Sequence, residues 1–335
     1  MTSMLFYSLE GLGDSILNVP ILARLRDKFE VQVVAFNNGT TAFYRSFHDR
    51  VTGINSRKEL LLKAFTLSSE HTYICYPVWK KEMAVALLSR AKRRYFLRPP
   101  LPILAECLWS SRPVGDENKH QLENNFNLLQ SVIGECPFDV DVKTILQLPP
   151  ASPDRVLAVH PTASTPVKHY PLAFWVQLLN SVAADFNRVQ IFCGANPLEG
   201  DFCKAIVQGL TPRNAAITQI NQGLAFKELA TRLLEAEFFI GHDSSLMHLA
   251  VILKKPVVAL WSFGDYRLSY PYTNGASVYI PRETVGASRF EYPKTPPEFL
   301  QRARAADVVT FMRRQRRPDF EITPKYREPV AFYVF

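Results

Sequence analysis

Apolar residues in the first half of the chain arrive in short runs separated by longer stretches with helical spacing. Met4–Tyr7 reads as a strand, a helix follows from Asp14, Val31–Phe36 reads as a second strand, and Thr72–Tyr76 precedes a helix near Lys80–Arg90. Such alternation predicts a parallel sheet, whose strands are buried on both faces and so lose strict in-out patterning. The segment Leu148-Pro149-Pro150-Ala151-Ser152-Pro153 interrupts the rhythm and predicts an inter-domain linker. The pattern then restarts. Val156–His160, Val189–Cys193, Phe238–Ile240 and Val257–Trp261 read as strands, and Leu172–Ala184, Lys227–Leu234 and Leu246–Leu253 as helices. The expected architecture is α/β, with two doubly wound, Rossmann-like halves and a site in the central cleft between them, at the carboxyl ends of the strands. The expected segments are 1–150, 151–295 and a C-terminal 296–335. In the last, Pro296–Arg314 reads as one long helix, and the aromatic tail from Asp319 is expected to pack on the body.

Composition narrows the class. With 335 residues, 47% of them hydrophobic, the chain supports two domains of ordinary size. No run approaches the roughly 20 apolar residues of a membrane span, and the start lacks a basic stretch followed by an apolar core. A cytoplasmic protein is expected. The five cysteines are widely spaced and form no Cys-x-x-Cys pair, so neither a zinc site nor a disulfide framework is indicated. The net charge of +8 is concentrated in Lys92-Arg93-Arg94 and Arg313-Arg314-Gln315-Arg316-Arg317. Such clusters suit anionic saccharides or a peripheral contact with the inner face of the inner membrane. Zinc-finger spacing and aromatic RNA-binding motifs are missing, so nucleic acid is not an expected partner.

Three segments carry candidate chemistry. In Glu10-Gly11-Leu12-Gly13-Asp14-Ser15, a strand runs through glycines into a helix whose expected N-cap is Asp14 or Ser15. The third glycine of a dinucleotide fingerprint is replaced by Ile16, which argues against a dehydrogenase. In His160-Pro161-Thr162-Ala163-Ser164-Thr165-Pro166-Val167-Lys168, a hydroxyl-rich loop brings a lysine to a helix entrance, an arrangement that suits a diphosphate. In Ile240-Gly241-His242-Asp243-Ser244-Ser245-Leu246-Met247-His248, a strand breaks into an apolar helix whose free first-turn amides suit an anion. Asp243 or Ser244 is an equally natural cap. His242, Asp243 and His248 lack an established metal spacing, so no metal and no cofactor are expected.

Taken in order, these segments resemble glycosyltransferase family 9, the heptosyltransferases that use ADP-heptose. The first is similar to the family's Gly-Asp…Pro start, the second to its His-Pro-Gly-Ala-Ser…Lys-x-Trp-Pro stretch, and the third to its Asp-Ser/Thr-Gly-Leu-x-His-Leu stretch. Gly194-Ala195-Asn196-Pro197-Leu198-Glu199 resembles its Gly…Glu loop. The resemblance implies a GT-B fold and an inverting, metal-independent transfer from a nucleotide sugar to a saccharide acceptor such as the lipopolysaccharide inner core. It implies Asp14 as catalytic base, Thr162, Ser164 and Lys168 at the diphosphate, Glu199 at the ribose and Leu224 at the adenine. Asp243 would meet the donor sugar, the amides near Ser244, Ser245 and Leu246 the phosphate, and His248 would support that end. Lys92, Arg93 and Arg94 are the expected acceptor contacts. The chain departs from the family at Thr162 and Ser245, where the family has glycine, and at Tyr170, where it has tryptophan. Two other readings compete: a nucleotide-sugar epimerase of the same architecture, and a binding protein that keeps a degenerate donor site.

Overall fold

The computed structural model describes residues 1–75, 85, 88–97, 119–137, 140–150, 154–163, 165–262, 269–272, 276–282, 297–315 and 331–334, without side-chain placement for 314, 315 and 331–334. The chain separates into two compact units, Met1–Gln147 and Leu148–Phe335. Most of the expected helix near Lys80–Arg90, residues 151–153 of the proline-rich linker, Ser164, Cys107 and residues 316 and 317 of the basic run lie outside the described residues.

The first unit is built on a five-stranded, wholly parallel sheet of β1 (Thr2–Ser8), β2 (Phe29–Phe36), β3 (Val51–Ile54), β4 (His71–Ile74) and β5 (Arg93–Phe96), in the order β3-β2-β1-β4-β5. β1 is the central strand, and Met4 through Ser8 are all buried, which explains its unbroken apolar run. The strand order reverses direction beside β1. A connection leaving the carboxyl end of β1 therefore emerges at the sheet's switch point, where a crevice is left open. That connection is Leu9–Gly11, followed by helices Leu12–Leu17 and Val19–Arg26.

The second unit holds a seven-stranded parallel sheet of β6 (Val156–His160), β7 (Arg188–Cys193), β8 (Thr218–Gln222), β9 (Ala236–His242), β10 (Val257–Leu260), β11 (Ala276–Ile280) and β12 (Ala331–Val334), in the order β12-β11-β10-β9-β6-β7-β8. Here the winding reverses between β6 and β9, which pair in parallel with His160 opposite Gly241. Helix Leu172–Val182 buries Trp175, Leu178, Leu179 and Val182 in the main core, alongside Val308 and Met312 of helix Ala305–Gln315. Burial of this apolar face, rather than helix propensity, holds the two helices on the sheet.

The expected single helix over Pro296–Arg314 is corrected. A 3-10 turn, Glu298–Arg302, ends at Ala303 in extended backbone, and an α-helix restarts at Ala305. The break has a partner: the Arg304 amide donates to the Tyr279 hydroxyl at 3.0 Å, and the Arg304 guanidinium pairs with Asp307. In the tail, residues 331–334 add β12 to the sheet edge against β11. Among the described residues, no helix is long and apolar enough to cross a membrane.

Leu178 is fully buried in the centre of the second unit's core. Leu178→Ala is expected to destabilise that unit by about 3 kcal/mol through lost burial and a residual cavity, measured as a lower guanidinium midpoint at unchanged slope.

Candidate functional site

The two switch points hold the three motifs. In the first unit, the helix after β1 begins at Leu12, with Gly11 as its extended N-cap and no capping side chain. The expectation that Asp14 or Ser15 caps this helix is therefore corrected. Asp14 lies in the first helical turn, partly exposed, where a carboxylate meets the amide-rich end of the helix. Ile16, at the position of the missing glycine, is a core residue at 1% exposure.

Ser15 is engaged beneath Asp14. Its hydroxyl donates to the Gly11 carbonyl at 3.0 Å and meets the Ser8 hydroxyl at 2.9 Å. The Tyr44 hydroxyl donates to Ser8 Oγ at 3.2 Å. Burial pushes the Tyr44 phenol well above its usual range, so it remains a donor at any working pH. One turn further on, buried Asn18 accepts from Asn125 Nδ2, and the Asn125 carbonyl accepts from the Tyr73 hydroxyl at 3.1 Å. Residues 11–18 are thus fixed from below by Tyr44, Tyr73 and Asn125. Sequence reading missed all three, because they contribute from elements 26 or more residues away and belong to no local motif.

In the second unit, the carboxyl ends of β9, β6, β7 and β8 lie side by side. Lys168, on the 3-10 turn Pro166–Lys168, places Nζ 2.8 Å from Asp243 Oδ2, and the two side chains are only 13% and 15% exposed. The second and third motifs therefore meet as an ion pair. Asp243 does not cap the helix that follows. Nor does Ser244, the N-cap residue of Ser245–Ile252, because its hydroxyl lies 3.0 Å from His160 Nδ1 at the end of β6. With no side-chain cap, the first-turn amides of Ser245, Leu246 and Met247 keep their donors for a ligand. His160 was not among the expected site residues. Its signal is a polar residue ending an otherwise buried strand. Gly241 makes the close pairing workable: a Cβ there would stand 3.0 Å from His160 Cβ and 2.7 Å from Phe239 Cζ.

His248 lies one turn into the same helix, buried, with Nδ1 lacking a hydrogen-bond partner. Burial drives its pKa down to about 4, helped by Lys168 and opposed by Asp243. His160 is likewise pushed down to about 4, first by burial, with Glu199 opposing. Both rings are neutral near pH 7 and add no positive charge beside Lys168. His242 faces the interior, its Nε2 3.1 Å from the Pro161 carbonyl and its ring packed on Trp175 and His169. It is therefore not aimed at a shared ion with Asp243 and His248, and among the described residues no three His, Cys, Asp or Glu side chains form a metal-binding group.

Glu199 lies in the first turn of helix Pro197–Gln208, beyond β7. Its Oε2 accepts from the Thr162 hydroxyl at 2.7 Å and from the Gly194 amide at 2.8 Å, whereas Oε1 has no hydrogen-bond partner among the described residues. Thr162, expected at the ligand, is instead fully buried and acts on Glu199. Leu224, half-buried, follows Gly223 after β8. Gly223 takes a left-handed φ of +62°, and its amide donates to the Cys193 carbonyl at 3.0 Å. The departure at Tyr170 is structural: its buried hydroxyl donates to the Trp261 carbonyl at 2.7 Å.

Lys92, Arg93 and Arg94 are not brought together with Asp14. Arg93 and Arg94 begin β5, and Arg93 is level through His71 with Met4. That places them at the amino end of the sheet, roughly 13 Å along the strands from the carboxyl end of β1. Arg94 turns back to donate to the Ser89 carbonyl at 2.7 Å.

The histidines set a pH dependence. In the unfolded chain each takes up a proton near its ordinary value of 6.5, but in the folded chain only near 4. The unfolded state therefore binds more protons between these values, and stability falls as pH is lowered from about 6.5 to 4. For His248 the loss should reach about 3 kcal/mol at the lower end, and His248→Gln is expected to flatten the decline of Tm with pH over this window.

Comparisons with known proteins bear on the family and the fold. The sequence profile of glycosyltransferase family 9 (heptosyltransferase) matches residues 105–295. A lipooligosaccharide heptosyltransferase 2 of Campylobacter jejuni subsp. jejuni serotype O:6 is 21% identical over 284 residues, covering 78% of this chain and 82% of that one. Among solved structures, E. coli heptosyltransferase WaaC with ADP superposes with a TM-score of 0.72 at 17% identity, over 93% of this chain and 99% of that one. E. coli ADP-heptose lps heptosyltransferase II gives 0.67 at 16% identity, over 93% and 98%. The fold is GT-B, two Rossmann-like parallel α/β domains, and the chain is a glycosyltransferase that belongs to family 9.

Proposed function

We propose that the enzyme transfers a heptose from ADP-heptose, with inversion and without a metal ion, to an anionic saccharide acceptor of the lipopolysaccharide inner-core type. The observation that carries this reading is the Lys168–Asp243 pair at the uncapped start of helix Ser245–Ile252. It is continued sideways by Glu199 and Leu224. From β9 to β8 there are three strand spacings, about 14 Å in all, a span that suits an extended nucleoside diphosphate with its base at Leu224, ribose at Glu199 Oε1 and phosphates at the helix start.

In this mechanism the acceptor hydroxyl oxygen attacks the anomeric carbon as the bond from that carbon to the diphosphate breaks. Asp14 removes the hydroxyl proton, and ADP leaves with the bonding electron pair. Lys168 and the first-turn amides stabilise the charge that develops on the leaving phosphate. Asp243 holds the ammonium at the helix start before the donor arrives and accepts from a hydroxyl of the donor sugar. Neutral His248 supports the same end. The buried network under Ser15 keeps Asp14 from rearranging during the step, because the residues that follow it are held: the Ser15 hydroxyl meets Ser8, the Ser15 carbonyl accepts from the Tyr44 hydroxyl, and the Asn18 side chain accepts from Asn125.

The test is donor binding and turnover measured together, in EDTA, across ADP, UDP, GDP and their sugars. Asp14→Asn is expected to lower kcat by about 10²–10⁴-fold while the Kd for ADP stays within twofold. Lys168→Ala should weaken ADP binding and lower kcat/KM by about 10²-fold, roughly 3 kcal/mol in the barrier. Full activity in Asp14→Asn would remove the base assignment. Activity abolished by EDTA and restored by a divalent ion would remove the metal-free mechanism. Donor consumption without acceptor would indicate an epimerase, and donor binding without turnover on any acceptor would indicate a binding protein.

A further inference from the structure

Helix Arg57–Thr66, between β3 and β4, buries one apolar stripe, Leu60 and Ala64, against the first unit's core. A surface helix normally presents polar residues on its other side. This one presents a second apolar stripe. Leu61, Leu62 and Phe65 are 41%, 59% and 57% exposed, and their spacing places them on one face. Leu88, at 36%, is exposed nearby, just before the Arg90 guanidinium, which stands 6.0 Å from the Phe65 ring centroid. Beyond Arg90 come exposed Lys92 and Arg93, and the Arg93 amide donates to the Glu70 carbonyl in the loop that leaves this helix. The basic run is therefore joined to the apolar helix face at the amino end of the sheet, away from Asp14.

The charges are lopsided. Arg57, Lys58 and Lys63 lie on the helix itself and Arg90, Lys92 and Arg93 follow Leu88, while the carboxylates on these segments are Glu59 and Glu70. Glu59 is already engaged, with Oε2 accepting from the Asn55 amide at 3.0 Å. Bulky apolar side chains flanked by long cationic ones match the interface of an anionic bilayer. The rings and branched chains enter the headgroup boundary, and the ammonium and guanidinium groups remain at the level of the phosphates. An uncharged partner would leave the basic rim uncompensated.

We propose that the Leu61-Leu62-Phe65 face, with Arg90, Lys92 and Arg93, docks the enzyme reversibly on a bilayer rich in anionic phospholipid. The full-length chain would be co-sedimented with vesicles of phosphatidylglycerol and phosphatidylethanolamine, and with vesicles of phosphatidylcholine alone, at low and high salt. Binding is expected on the anionic vesicles, falling at least tenfold at 0.5 M salt, on phosphatidylcholine, in Leu62→Glu/Phe65→Glu and in Arg90→Glu/Lys92→Glu. ADP binding should be unchanged in both variants, which shows that they fold and separates this proposal from the assignment of the donor site. No binding of the wild type to anionic vesicles would overturn it, as would binding that neither variant reduces or that is equal on phosphatidylcholine. Loss of a dimer in Leu62→Glu/Phe65→Glu, seen by light scattering without any vesicle binding, would assign the face to self-association instead and would also overturn the proposal.

Discussion

The ion pair between Lys168 and Asp243 joins the second and third motifs, and the proposed donor site depends on it. Both side chains are largely withdrawn from water, and such a pair costs desolvation that its attraction only partly offsets. It is better understood as positioning than as stabilisation. It fixes the 3-10 turn that carries Lys168 against the loop that opens helix Ser245–Ile252, whose start has no side-chain cap. The pairing of β6 with β9 makes this geometry available, since the sheet reverses its winding there. Gly241 lets the two strand ends approach closely enough for His160 to hold Ser244. Were Ser244 to turn inward and cap its own helix, one of the amides would be lost to the ligand.

Most strands and the order of the motifs were legible in the sequence, because parallel strands buried on both faces leave short uninterrupted apolar runs. The sequence also shows that Lys168 and Asp243 belong to strand-end loops. What it does not show is how those loops meet. The cap expectations for Asp14, Asp243 and Ser244 differ from the structure because a polar residue near a helix start looks like a cap locally, whereas the helix can begin earlier or the side chain can take a partner from another segment. Asp14 proved to lie inside the first turn, Asp243 took Lys168, and Ser244 took His160. The helix expected from Pro296 failed similarly, since its apolar spacing continues across Ala303 while the Tyr279 hydroxyl draws the Arg304 amide out of the helical ladder.

The departures from the family pattern acquire physical reasons. At Thr162 a hydroxyl replaces open backbone and, with the Gly194 amide, occupies Glu199 Oε2, so that Oε1 is the oxygen proposed to meet a ligand. Glu199 is thereby held to a single orientation, which favours a ligand that offers one well-placed donor over one that needs both oxygens. At Tyr170 the ring fills the core beside Phe174 and His242, and its hydroxyl supplies a donor to the Trp261 carbonyl. Burying this aromatic residue requires such a partner, and tyrosine meets the requirement from the ring's far end. Nothing in the structure explains the serine at Ser245.

The distribution of charge, rather than its sum, separates the roles. A net charge of +8 suits any phosphate-bearing partner, and on sign alone the Lys92–Arg94 run was assigned to the acceptor. Strand polarity sets that run apart from Asp14. In a parallel sheet every carboxyl end lies on one side, so residues that begin β5 share an end with the start of β1 and not with the turn that carries Asp14. At the proposed donor site the positive charge is small and already balanced: Lys168 is matched by Asp243, and His160 and His248 are neutral. In the proposed reading, selectivity there would rest on oriented amides, which favour an anion without a long-range field. The unbalanced charge sits beside an exposed apolar face, where a field that acts over several ångströms is useful for association with a surface. On the two proposals, the two ends of the first unit's sheet would serve opposite needs, a fixed carboxylate at one and a diffuse, salt-sensitive attraction at the other.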